Sequence, residues 1–327
     1  MTDSSARALR VAYMGTPQFA VPTLEALLQS RHEVVGVFTN PDRRRGRGKA
    51  VHPSPVKEAA VAAGVPVYQP RRVRGNDEAL ETLRAWEPDV TIVAAYGQIL
   101  PVDILEVAPM GSLNVHASLL PKYRGAAPIN WCIVRGEETT GITIMQMEAG
   151  LDTGPMLLTE EVAITPEMTS SELHDLLSPM GGPMVLRTLD GLLDGSIAPV
   201  VQDHDAATWA PMIKKEDGKV DFSGTARQVA DHIRGFNPWP GAYAFHKGTP
   251  DADDTSSRVK LHRARVIEDT AVDGLPGEVL EASGDALVVA CGEGAVAMLE
   301  LQAPNKRAMG ARDFMNGFKV MKGQFFV

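Results

Sequence analysis

Six short apolar runs recur through the first half of the chain, at residues 9–15, 33–39, 65–70, 89–97, 112–116 and 141–147, and none alternates strictly between apolar and polar positions. Runs rich in Val and Ile that are apolar at nearly every position read as strands buried on both faces, as in a parallel sheet. Between them the spacing becomes helical at Pro22–Gln29, Ser54–Ala63, Asp77–Trp86 and Ala127–Arg135, with Pro22 and Pro55 at first helical positions, where a missing N–H costs nothing. Strand and helix alternating in this way predict an open α/β sheet with right-handed crossovers. Such a sheet binds its ligands at the carboxyl ends of its strands.

The texture changes after about residue 165. Thr169 and Glu172 form a capping box that opens a helix with Leu173, Leu176 and Leu177 on one face, and a second helix over Gly182–Leu193 ends near Gly195. A short helix over Thr225–Arg234 follows. Then come strand-like runs at 241–246, 258–267, 277–282, 286–291 and 295–302, separated by Gly, Pro and Asp turns, which predict a small β-barrel. The chain therefore divides into an α/β domain over residues 1–204, a linker over 205–210 and a barrel over 211–327. The segment 247–258 reads as a surface loop. In "FNPWP", 236–240, the prolines are expected to rigidify a turn with Trp239 packed inside.

A length of 327 residues suits two domains, each able to bury a core, and 44% hydrophobic with 22% charged residues is ordinary for a globular chain. No apolar run approaches the roughly 20 residues that span a bilayer. The first ten residues contain an acid and lack an apolar stretch, so they do not read as a secretory segment. Cys132 and Cys291 lie far apart without metal-ligand spacing, which fits a reducing compartment and predicts a cytoplasmic protein without a bound metal. The net charge of -9 excludes a protein that coats nucleic acid indiscriminately. One stretch runs against that balance: Arg43, Arg44, Arg45, Arg47 and Lys49 face a single Asp42.

The turn after the first strand carries only Gly15, so the GxGxxG of a dinucleotide site is missing, as are a GxxxxGK[ST] phosphate loop, a GxSxG elbow and an HExxH zinc motif. Chemistry gathers elsewhere. Asn114 and His116 sit two apart near the end of an apolar strand and project to one side. An amide donor beside an imidazole suits an oxygen that becomes negative during acyl transfer. The plainer reading is that the pair satisfies backbone groups at a strand end. Downstream, the Gly-flanked acidic turn "EAGLDTG", 148–154, can return Asp152 toward the same edge and orient the His116 ring. Asn, His and Asp without a nucleophilic Ser or Cys point to direct acyl transfer.

At these residues the chain resembles the 10-formyltetrahydrofolate-dependent formyltransferases and hydrolases. The run "NVHASLLPKYRGAAPINW", 114–131, followed by "GLDTGPML", 150–157, is similar to that family's signature, and the similarity extends from about residue 9 to the C-terminus. The resemblance implies a Rossmann-like formyltransferase domain with an OB-like C-terminal barrel, and a catalytic triad of Asn114, His116 and Asp152. It implies 10-formyltetrahydrofolate as co-substrate, held by Tyr96, Gly97, Gln98, Ile99 and Leu100 and by Ser118, Leu119, Leu120 and Pro121. "MGTPQFAVP", "VFTNPDRRRGRGKAVHPSPVK", "AAYGQILP" and "GFNPWPGAY" resemble the members that formylate methionine carried by initiator tRNA. In those the basic loop meets the acceptor arm, which implies tRNA contacts from Arg43, Arg45, Arg47 and Lys49, with Arg47 foremost. The run of three arginines is more basic than that pattern needs. The C-terminal domain is nearly charge-balanced, so any tRNA contact there needs a one-sided patch, for which Lys214, Lys215, Arg258, Lys260, Arg263, Lys306 and Arg307 are available. The protein is expected to act as a monomer. An amino-sugar formyltransferase and a 10-formyltetrahydrofolate hydrolase share the triad and stay open as alternatives.

Overall fold

The computed structural model describes residues 7–45, 50–249, 257–267 and 273–327. The chain forms two compact units. The first contains the chain up to Ala126 together with Thr140–Val162 and His174–Ala210. The second contains Ala127–Thr139, Ala163–Leu173 and Pro211–Val327.

The strands up to Ala210 are β1 (Arg10–Gly15), β2 (Glu33–Phe38), β3 (Arg43–Arg45), β4 (Ala50–His52), β5 (Val67–Tyr68) and β6 (Val90–Ala94). They continue with β7 (Ser112–His116), β8 (Arg124–Gly125), β9 (Thr139–Gln146), β10 (Met156–Ala163) and β11 (Trp209–Ala210). The helices are α1 (Val21–Leu28), α2 (Pro55–Ala62), α3 (Asp77–Ala85), α4 (Val102–Leu105), α5 (Pro128–Val134), α6 (Ser170–Leu177) and α7 (Gly181–Asp194). One seven-stranded sheet runs β10-β9-β7-β6-β1-β2-β5. Its central pairings, β5 with β2, β2 with β1, β1 with β6 and β6 with β7, are parallel, and β7 pairs antiparallel with β9. Val11, Ala12, Tyr13 and Met14 of β1 are all fully buried, as its unbroken apolar run requires. The helix starts match their signals: Ser54 caps α2 by accepting from Lys57 N–H ahead of Pro55, and Asn76 caps α3. The strand order reverses about β1, since β2 and β5 lie on one side and β6 and β7 on the other. In an open α/β sheet such a reversal is where ligands bind, here at the carboxyl ends of β1 and β6.

The second unit is built on α8 (Ala226–Gly235), α9 (Ala311–Phe318), β12 (Tyr243–Lys247), β13 (Ser257–Ile267), β14 (Val279–Ser283) and β15 (Ala286–Ala290). To these it adds β16 (Ala295–Gln302), β17 (Met309–Gly310) and β18 (Phe325–Phe326). The sheet order is β14-β15-β16-β13-β12-β18, and an antiparallel bridge between Glu278 and Phe325 joins its two ends into a nearly closed barrel. Val259, Leu261, Val289, Val296, Leu301, Phe314 and Phe326 fill its core. The predicted barrel is thus present.

Several local expectations differ. Segments Ala127–Thr139 and Ala163–Leu173 belong to the second unit, where α5 packs on α8: Asn130 Nδ2 donates to Gly235 O at 2.8 Å, and a Cβ at Gly235 would meet Val134. The Thr169–Glu172 capping box forms as predicted, with Thr169 N–H donating to Glu172 Oε2 at 2.8 Å, and Leu173 and Leu177 are buried, but Leu176 is 41% exposed. Trp239 is not packed inside; it is 54% exposed. The turn is fixed instead by buried Phe236 and by Asn237, whose Nδ2 donates to His262 O at 2.8 Å and whose carbonyl accepts from Ser170 Oγ at 2.6 Å. The first six residues, and most of the surface loop expected at 247–258, lie outside the described residues.

Candidate active site

The carboxyl ends of the parallel strands converge on one rim. After β6 the chain turns through Ala95 (φ 45°) and Gly97 (φ 80°). Left-handed backbone costs a non-glycine residue roughly 1–2 kcal/mol, so neighbours must hold Ala95 there. They do: Tyr96 O accepts from Thr16 Oγ1 at 3.0 Å and from Asn40 Nδ2 at 2.8 Å. Gln98 Nε2 donates to Asn40 Oδ1 at 2.9 Å and Gln98 Oε1 accepts from Val73 N–H at 2.9 Å. Gln69 ties the next loop in, donating to Asn40 O at 2.9 Å and to Asp42 Oδ1 at 2.8 Å, while Lys57 Nζ pairs with Asp42 Oδ2 at 2.7 Å. The hydrogen bonds from Gln69 and then Lys57 hold the Asp42 carboxyl below its usual range.

This places the residues expected to meet folate. Ile99 stands 76% exposed at the rim, and Leu100 is buried in the core beneath it. The Gln98 side chain is spent on scaffold bonds. Tyr96 is buried, its hydroxyl has no partner among the described residues, and burial pushes that phenol well above its ordinary range. Ser118 is buried, its Oγ donating to Lys122 O at 2.7 Å. Thr143 of β9 donates to Ser118 O at 2.7 Å and accepts from Leu120 N–H at 3.2 Å, which fixes the Ser118–Pro121 turn. Of residues 96–100, Gly97 and Ile99 are exposed, whereas Tyr96 and Leu100 pack in the core.

Asn114 and His116 lie on β7, opposite Met145 and Thr143 of β9. The Asn114 side chain is half-buried and makes no hydrogen bond among the described residues. His116 is 5% exposed; its Nε2 lies 3.0 Å from Tyr123 O, and its Nδ1 faces Asp152 Oδ2 at 3.7 Å. The plainer reading therefore holds for one nitrogen of His116 and not for the Asn114 amide. Asp152 (φ 51°) reaches this edge because Gly125 N–H donates to its Oδ2 at 2.8 Å. Its carbonyl accepts from Gln202 Nε2 at 2.9 Å, as does Gly154 O at 2.6 Å. Gln202 Oε1 in turn accepts from Arg124 Nε at 3.1 Å and Nη2 at 2.7 Å.

Residues 205–210, read as linker, contain β11, which pairs in parallel with β8; Tyr123 N–H donates to Thr208 Oγ1 at 2.9 Å. The loop after β7 is thus braced by a segment some 85 residues downstream. Sequence reading missed Thr143, Arg124, Gln202 and Thr208. Arg124 stood inside the quoted signature, whereas the other three carried no local signal.

From the basic stretch Arg43–Arg45 form β3, which pairs antiparallel with β4, Arg43 lying opposite His52 and exposed. Arg45 pairs with Ala50 in that ladder, while Arg47 and Lys49 lie outside the described residues. In the barrel, Arg258 lies over the Tyr243 ring at 3.6 Å and Arg263 pairs with Glu172 at 2.7 Å. Lys214, Lys215, Lys260, Lys306 and Arg307 are exposed.

Residues 9–189 match the formyl transferase family model, and residues 212–319 match that of the formyl transferase C-terminal domain. A methionyl-tRNA formyltransferase of Trichlorobacter lovleyi is 45% identical over 314 residues, covering 96% of each chain. The chain belongs to the methionyl-tRNA formyltransferase family. Family members from Caldanaerobacter subterraneus (45% identical, over 96% of this chain and 99% of that one) and Geobacter sulfurreducens (44%, over 96% of each) are similar at the same length. Among solved structures the fold resembles the sugar 3N-formyl transferase WlaRD, with a TM-score of 0.65 at 17% identity over 92% of this chain and 100% of that one. It also resembles HypX of Aquifex aeolicus in complex with tetrahydrofolic acid, with a TM-score of 0.59 at 16% identity over 98% of this chain and 51% of that one. These two likenesses concern the fold alone. No helix among the described residues is long and apolar enough to cross a membrane.

Proposed function

We propose that this chain transfers the formyl group of 10-formyltetrahydrofolate to the α-amino group of methionine esterified to initiator tRNA, in the cytoplasm and as a monomer. The observation that carries the reading is the Asn114 amide, without a partner among the described residues, beside a His116 ring tied at Nε2 and facing Asp152 at Nδ1, in a chain similar over its length to methionyl-tRNA formyltransferases.

An α-amino group has a reference pKa of about 7.7–8.0, and an ester lowers it, so a useful fraction of the acceptor is neutral at pH 7. The amine adds to the formyl carbon, and negative charge grows on the formyl oxygen. Asn114 Nδ2 donates to that oxygen. His116 uses Nε2 on Tyr123 O, which leaves Nδ1 as its working nitrogen. The 3.7 Å between Nδ1 and Asp152 exceeds a hydrogen bond and keeps the carboxylate beside that nitrogen. Asp152 orients the ring and, through water, helps move protons from the amine to the departing folate nitrogen. Holding both substrates on one rim replaces a bimolecular encounter with an oriented one. Residues 1–204 carry the folate and the chemistry, with Tyr96–Leu100 and Ser118–Pro121 along the folate. Arg43, Arg45, Arg47, Lys49 and the barrel over 211–327 hold the tRNA.

The test is transfer of labelled formyl from 10-formyltetrahydrofolate to methionine-charged initiator tRNA, beside charged elongator tRNA, uncharged tRNA and buffer. Product with the charged initiator alone supports the reading. Formate released in buffer would replace it with a hydrolase, and no turnover with any tRNA would turn attention to amino sugars.

A further inference from the structure

The turn that carries Asp152 is unusual in how it is held. Its backbone at Asp152 is left-handed, at φ 51°, a conformation that Asp adopts more readily than most non-glycine residues. Thr153 Oγ1 donates to Glu148 Oε1 at 2.6 Å, closing the turn on itself. That bond does not fix where the turn sits on the sheet.

The placement comes from the strand-like segment after α7. Val200 and Met156 form an antiparallel bridge and exchange both backbone bonds at 2.8 Å. In that register the next bonded pair would be residues 202 and 154. The backbone ladder stops there, and the Gln202 side chain continues it. Its Nε2 donates to Gly154 O at 2.6 Å and to Asp152 O at 2.9 Å, so both amide protons land on the catalytic turn. Its Oε1 takes the fork of Arg124 at 3.1 and 2.7 Å. Gln202 and Arg124 are each 3% exposed. No carboxylate among the described residues pairs with this guanidinium; beyond Gln202 its Nη2 meets only His204 Nδ1, at 3.0 Å.

A buried cation satisfied by a neutral amide is a costly arrangement, since a carboxylate at the same place would pair with it more strongly. A carboxylate, however, has no N–H to give the carbonyls of 152 and 154. Gln alone serves both sides: it accepts from Arg124 and donates to the turn. Arg124 also precedes Gly125, whose N–H binds the Asp152 carboxylate at 2.8 Å. Two adjacent residues thus fix Asp152 from both directions, Gly125 at its carboxylate and Arg124, through Gln202, at its carbonyl.

We propose that Gln202 is a positioning residue for catalysis, clamped by Arg124, which sets the place of the Asp152 carboxylate against His116. The inference rests on the role of Asp152 proposed above.

The deciding variant is Gln202→Glu. It keeps and strengthens the bond to Arg124 but removes both donors to the turn, so a purely structural partner of Arg124 would be well replaced. The expected result is a melting temperature within a few degrees of the parent, KM for 10-formyltetrahydrofolate and charged initiator tRNA changed little, and kcat reduced about 10- to 100-fold, the scale of a displaced reacting group. Coupling to Asp152 is read from Asp152→Ala alone and combined with Gln202→Glu: the double variant should be no slower than Asp152→Ala. Unchanged kcat in Gln202→Glu overturns the inference, as does a double variant whose losses multiply. Near-normal turnover of Asp152→Ala would instead remove the role of Asp152 itself. Should Gln202→Glu fail to fold, Arg124→Lys tests the same relay, with a smaller fall in kcat that again vanishes on an Asp152→Ala background; kcat equal to the parent's would overturn the inference.

Discussion

Nδ1 of His116 and Oδ2 of Asp152 face each other across 3.7 Å, both largely buried, at 5% and 11% side-chain exposure. The pair is too far apart for a direct hydrogen bond. Under the proposed function Asn114 Nδ2 and His116 Nδ1 are the donors to the formyl oxygen, and removing either leaves developing charge unmet. Asn114→Ala and His116→Ala are each expected to lower turnover about 10²- to 10³-fold. Affinity for charged tRNA should change little, as equilibrium binding beside single-turnover rates will show; near-normal turnover would refute the residue's role.

Gly125 is the second point at which backbone makes the site. It has φ 120°, and a Cβ there would lie 2.6 Å from Ala210 O. Gly125→Ala must therefore move β8 from β11 or rotate the N–H away from Asp152. A loss of stability of about 1–3 kcal/mol is expected from the strained backbone. Turnover should fall to near that of Asp152→Ala, and a denaturant midpoint measured beside kcat separates the two effects.

In the second unit, the backbone bond from Thr169 N–H and then the Arg263 side chain depress the Glu172 carboxyl to about 2. A carboxyl whose folded value lies below its unfolded one stabilises the fold above the unfolded value, near 4.5. That contribution is lost as pH falls from about 4.5 toward 2. Glu172→Gln should flatten this part of the acid-unfolding curve and leave the curve above pH 5 nearly parallel to the parent's. An unchanged acid limb in thermal melts would count against the assignment. Glu172 is 48% exposed at its side chain, so the effect is modest.

Arg47, outside the described residues, belongs to the basic stretch proposed to meet tRNA. Arg47→Ala should weaken use of charged initiator tRNA and leave folate binding intact. The slope of log affinity against log salt should fall by about 1, the signature of one lost phosphate contact. Unchanged kinetics with tRNA would contradict the proposed contact.

The strand positions were legible because each inner strand is buried on both faces and so is apolar at nearly every position; β1, β6 and β7 all fall within predicted runs. Helix starts were legible because Ser54, Asn76 and Thr225 satisfy orphan N–H groups within three residues, a local matter. Exposure of Leu176 and Trp239 was not, because helical spacing and a Pro-rich turn say which side a residue faces and not whether another element covers it. That the Gln98 side chain is spent on Asn40 and Val73, partners from two other loops, was not legible either, since both lie far from it in the sequence.

The sequence by itself determined the inner strands, the α/β sheet and the barrel, and it singled out Asn114, His116 and Asp152 as candidates, since each rests on local pattern or on a contiguous motif. Only the tertiary structure decided which nitrogen of His116 is free, how Asp152 is carried to it, and that Gln202 and Thr208 belong to the site. Those facts depend on hydrogen bonds between residues 7 to 85 positions apart, and such pairings are set by sheet order and register, which no short stretch of chain encodes.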